Sequence, residues 1–146
     1  MNRVLKYNQL FLGTAIFLFG FVKFFDPFKT WFHVQIVSSG LRPFLIPLGM
    51  AGEMCIGLSL LVATVFTKRI RSLSRPVVGL ASAGLIVNMA VATYVHLQPG
   101  VPASVLPLGI KPPLIPLSFM LLAGLNLFSF IEPRRGLAHS GHAPER

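Results

Sequence analysis

Four polar residues stand in or beside apolar runs that should exclude them: Lys23, Glu53, Asn88 and His96. Glu53 lies nine residues into its run, about 13 Å from the boundary at 1.5 Å per residue. A carboxylate that deep costs about 2.5–3.5 kcal/mol on insertion scales, so its default reading is functional, facing a bundle interior with a partner. Gly49, Glu53 and Gly57 recur at i, i+4 and i+8, which puts them on one helix face and lets a neighbouring backbone approach. Gly13, Gly20 and Lys23 share a stripe of the first run, and Gly84, Asn88, Ala92 and His96 drift across a modest sector of the third.

Side chains lean toward the N-terminus of their own helix. With the first helix running outward and the second inward, Lys23 and Glu53 therefore converge, their Cα levels about 10 Å apart. Asn88 falls near the level of Glu53, and His96 near that of Lys23. The set predicts a ligand-binding cluster of Lys23, Glu53, Asn88 and His96, with Glu53 and His96 as the catalytic, proton-accepting groups. The same residues have a plainer reading. Lys23 snorkels to the headgroups, a neutral Glu53 is satisfied by Asn88 or a backbone carbonyl, Asn88 is packing glue, and His96 is an ordinary interfacial histidine.

The elements that must position these residues follow from composition. Among 146 residues, 53% are hydrophobic and only 12% charged, with a mean hydropathy of +0.72. Soluble domains carry about 25% charged residues, so this is a membrane composition. Apolar windows at 9–25, 44–67, 77–95 and 114–131 each approach the roughly 20 residues a spanning helix needs. The fold class expected is an all-α, integral membrane four-helix bundle, one transmembrane domain over 1–135 with a flexible tail at 136–146. The first window ends in Phe21-Val22-Lys23-Phe24-Phe25, with no small-residue cleavage site, and reads as a retained helix.

A net charge of +9 would suggest nucleic acid in a soluble protein, but here the bases sit at membrane borders and no nucleic-acid partner is expected. Arg3, Lys6, Lys68, Arg69, Arg71, Arg75, Arg134, Arg135 and Arg146 fall on one side, and Lys23, Lys29, Arg42 and Lys111 on the other. The basic excess marks the cytoplasmic side, which places both termini in the cytoplasm, of a bacterial inner membrane in this reading.

Between the first two spans, Asp26-Pro27 reads as an N-cap followed by proline at the first helical position, and Ser38-Ser39-Gly40 as a stop. Phe28, Trp31, Phe32, Gln35 and Ile36 fall near one side of a short helix, expected to lie along the outer surface with Trp31 and Phe32 at the interface; an irregular aromatic loop is the alternative. The segment 98–116 holds six prolines and reads as a stiff, extended outer loop, a lid or a docking edge, with Lys111 solvated at the interface. Cys55 is the single cysteine, so no intramolecular disulfide forms and no CxxC pair exists. His139 and His142 lack a third ligand, and no metal site is expected.

The run Phe19-Gly20-Phe21-Val22-Lys23-Phe24, followed by Gly52-Glu53-Met54-Cys55-Ile56-Gly57-Leu58-Ser59-Leu60-Leu61, resembles the DoxX family of small four-helix membrane proteins through its G-x-x-K and E-x-x-x-G-L-x-L patterns. The match covers the first half of the chain and carries over Lys23 and Glu53 alone. The resemblance implies a membrane-integral subunit of a redox assembly, including thiosulfate:quinone oxidoreductase in some members.

Two functional readings follow. In one, the bundle is an accessory subunit of an oxidoreductase that binds a quinone or another lipophilic molecule near the outer half. No thiolate cluster or glycine-rich nucleotide loop is present to hold iron, haem or flavin, so no covalently bound cofactor is expected and electrons come from a partner protein. In the other, it is a non-catalytic scaffold or chaperone that docks a larger membrane complex through its glycine faces and proline loop. A small-lipid binder or isomerase using Glu53 as an acid is a weaker third.

Overall fold

The computed structural model describes residues 3–69 and 71–131, and over these the chain is all-α. Five helices follow one another: α1 (Arg3–Val22), α2 (Phe28–Ser38), α3 (Leu45–Val65), α4 (Arg71–Leu97) and α5 (Leu114–Ile131). Three of them, α1, α3 and the Ser72–Leu97 part of α4, are long and apolar enough to cross a membrane. A backbone in hydrocarbon must satisfy its own hydrogen bonds, which is why such runs form unbroken helices. α5 is a further apolar helix, shorter in its apolar stretch. The tail at 136–146, with His139 and His142, lies outside the described residues, as do Arg134, Arg135 and Arg146.

α1 lies against α3, α3 against α4 and α4 against α5, which returns to touch α1. The α1–α3 contact is the most extensive, and glycine is its cause. A Cβ at Gly57 would lie 2.5 Å from the Phe17 amide nitrogen and 2.8 Å from the Gly13 carbonyl oxygen, so the two backbones touch only because neither side carries a side chain there. Leu12, Ile16, Leu60, Leu85, Phe119 and Ala123 fill the centre of the bundle.

The end of the bundle bearing α2 and the connector 98–113 has a second, smaller core, made by Phe32, Ile36, Met50, Val95, Val101 and Leu106. Here several boundaries differ from the sequence reading. α1 stops at Val22 and Lys23 stands in the turn beyond it. Pro27, not Asp26, occupies the N-cap of α2, which begins at Phe28; the Asp26 carboxylate instead accepts a bond from the Thr30 hydroxyl at 2.6 Å. The stop at Ser38-Ser39-Gly40 is a Schellman motif: Gly40 has φ +76°, the Leu41 N–H donates to the Ile36 carbonyl and the Gly40 N–H to that of Val37. α4 begins six residues before its apolar window and runs through Pro76 in its second turn, which forgoes one backbone bond there.

The connector is not simply extended. It coils into two short 3-10 turns, Ala103–Val105 and Pro107–Gly109, separated by extended backbone at Leu106. Pro116 belongs to the first turn of α5, where proline is tolerated.

Candidate functional site

The glycines of α1 and α3 bring the two charged residues together. Gly20 lies so close to α3 that a Cβ there would be 3.0 Å from the Glu53 Cβ, which puts the end of α1 beside Glu53. Lys23 follows one turn later and folds back: its Nζ donates to Glu53 Oε1 and Oε2, both at 2.6 Å. The pair is largely enclosed, with 17% of the lysine and 9% of the glutamate side chain exposed. Asn88 of α4 donates from Nδ2 to the same Oε1 at 3.3 Å. Gly49 leaves room for the Phe32 ring, 3.1 Å from where its Cβ would be, and that ring lies under Lys23, with Nζ 4.0 Å from the centroid. The ammonium thus has a carboxylate on one side and an aromatic face on the other, both attractive where water is scarce.

Lys23, Glu53, Asn88 and His96 all line one apolar cleft of about 690 Å³, with Trp31 and Phe32 in its wall. The volume lies within the roughly 300–1,000 Å³ common to small-molecule sites. His96, in the last turn of α4, is buried, but its hydrogen bond goes to the connector: Nδ1 is 3.3 Å from the Lys111 carbonyl oxygen. A carbonyl only accepts, so Nδ1 carries the proton and Nε2 remains for the cleft.

Lys111, expected to be solvated in its proline loop, is half-buried and bonded back onto the loop. Its Nζ donates to the Gln98 carbonyl at 2.6 Å and the Val101 carbonyl at 2.5 Å, closing the connector on itself, while the Gln35 side chain ties α2 to the Val105 carbonyl. Lys111 does not line the cleft; it holds the backbone that His96 bonds to. Replacing it with Met leaves two carbonyls without their donor, at about 1–3 kcal/mol. Limited proteolysis of Lys111→Met is therefore expected to cut within 98–113, with helix content by circular dichroism unchanged.

Sequence reasoning passed over a polar layer in the other half of the bundle. Asn8 Nδ2 donates to the Leu122 carbonyl and to Asn126 Oδ1 at 2.9 and 3.0 Å, and the Thr64 hydroxyl donates to Gln9 Oε1 at 3.0 Å. Asn126, an amide within an apolar window, carried the same signal as Asn88. Among the described residues no group of three His, Cys, Asp or Glu side chains is placed to hold a metal ion.

No protein-family model, curated protein or solved structure matches this chain.

Proposed function

We propose that the chain is a four-span membrane subunit of a quinone-linked redox assembly, whose cleft holds a quinone or a similar lipophilic molecule in the outer half of the bilayer. One observation carries this reading: a charged pair, an amide and a histidine from three separate segments line a single apolar cleft. α5, at 18 residues, spans about 27 Å, enough to serve as the fourth crossing with slight thinning of a hydrocarbon core of about 30 Å. The basic excess supports termini in the cytoplasm and a cleft near the outer leaflet.

The chemistry suits a ring with carbonyl acceptors and an apolar body. Lys23 uses two of its three N–H groups on Glu53 and keeps one for a ligand carbonyl; His96, with its proton on Nδ1, presents Nε2 as an acceptor for the hydroxyl of the reduced, quinol form. Glu53 and His96 are the groups that take up and pass protons, and a partner redox protein supplies electrons. The residues that resemble the DoxX patterns support the assignment, because Gly20 packs on Glu53, Lys23 bonds it, and Gly57, one turn along, seats α3 on Gly13 and Phe17 of α1.

Trp31 is the single tryptophan and lines the cleft, so its emission reports occupancy. Titrating a decyl-substituted benzoquinone into nanodisc-embedded protein should quench Trp31 saturably. Against the corresponding quinol, whose hydroxyl donates to Nε2, His96→Leu should raise the apparent Kd about tenfold, the value of one hydrogen bond. Linear quenching, alike in both proteins, would mean that the quinone merely collides with Trp31 from the lipid.

A further inference from the structure

Resting on that reading of the cleft, we infer that its ligand is drawn from the bilayer itself, through the seam between α1 and α5, with the Phe119 ring as the gate. Of the contacts that close the ring of long helices, α5 on α1 is the thinnest. It is also uneven along its length. In the half away from α2, Asn8 pins α1 to α5 through the Leu122 carbonyl and Asn126. Phe119 lies about 10 Å further along α5 from Asn126, and there aromatic contacts take over: its ring centroid is 5.9 Å from that of Phe11 and 5.8 Å from that of Phe19.

Phe119 is 8% exposed and Phe19 39%, and both line the cleft, whereas Phe11, 55% exposed, lies outside it. The Phe19–Phe119 ring contact therefore stands between the cleft and the lipid at this seam. Aromatic contacts are weak and reorganise by rotation about χ1 and χ2, without loss of a hydrogen bond.

Other routes are tied more firmly. The α2 end is held by the bonds of Gln35 and Lys111 and by the second core. The α3–α4 seam, whose rim residues Leu48, Val87 and Val91 line the cleft and are exposed, is crossed beneath them by the Asn88–Glu53 bond and by Ile56 resting on Gly84. A seam pinned at one end and closed by rings at the other selects neutral, membrane-dissolved ligands over water-soluble ones, and leaves the Lys23–Glu53 pair undisturbed during passage.

The test uses stopped-flow quenching of Trp31 by the decyl-benzoquinone in nanodiscs. In a Cys55→Ala background, Phe19→Cys and Phe119→Cys are joined by a short bis-methanethiosulfonate reagent, which is released by reduction, with the reductant removed before mixing. The seam tether should slow the onset of saturable quenching by at least about tenfold, and release should restore it. A tether between Gln35→Cys and Val105→Cys at the α2 end should change the rate by less than about twofold. Phe11→Leu, an independent variant outside the cleft that removes one ring Phe119 rests on, should speed binding and release together and leave the Kd nearly fixed. Equal rates with the seam tethered and released, or slowing by the α2-end tether instead, would overturn the route while leaving the cleft reading intact. Absence of saturable quenching in the untethered protein would overturn both.

Discussion

Lys23→Met and Glu53→Gln should each destabilise the protein by about 3–5 kcal/mol, and the double variant should recover a substantial part of the loss. Breaking an enclosed pair leaves one charge desolvated and uncompensated, whereas removing both leaves none. The two single losses are also expected to be unequal. In Glu53→Gln, Lys23 keeps the Phe32 ring at 4.0 Å and, as the more exposed partner, can swing its amine toward the headgroups. In Lys23→Met, Glu53 keeps only the longer bond from Asn88, so this variant should melt at the lower temperature. Thermal unfolding of all four proteins in one detergent measures the cycle, and strictly additive losses would show that the two residues act independently.

Gly57→Ala should destabilise by about 1–3 kcal/mol, the range for overpacking a tight contact. The methyl would meet the Phe17 amide and the Gly13 carbonyl, which are backbone atoms that no rotamer change can move aside. α1 must back away from α3, carrying Lys23 from Glu53. Gly52→Ala, five residues earlier on the same helix, is the control: its added Cβ has no atom within 4 Å, and helix propensity favours Ala by up to about 1 kcal/mol. Opposite signs in the melting temperatures of the two variants are the expected result; equal shifts would remove the α1–α3 backbone contact from the account.

The physical costs that made some features legible in the sequence are the steepest ones. A carboxylate deep in an apolar run demands a partner, and helix direction pointed Lys23 toward it; the structure brings the two together. Long apolar runs left helix as the only backbone solution, and α1, α3 and α4 follow them within a few residues at most ends. The connector was less legible because its path has no periodicity, so neither the fold-back of Lys111 onto its own carbonyls nor its bond to His96 follows from residue types. Phe32 read as an interfacial aromatic, since nothing in one chain's sequence shows that Gly49 leaves a space for its ring beneath Lys23. Gln9, Thr64 and Asn126 inside apolar windows, and Asn8 just ahead of the first, are only moderately polar, yet they pair across helices.

The central claim is that Lys23 and Glu53 belong to a binding site and are not packing alone. The measurement that tests it most directly is the Trp31 quenching titration on the Lys23→Met, Glu53→Gln double variant, the protein in which stability and site chemistry come apart. The account predicts a double variant that has regained much of its thermal stability and has lost saturable quenching by the decyl-benzoquinone. A double variant that binds the quinone with the wild-type Kd would contradict it and return the pair to a structural role.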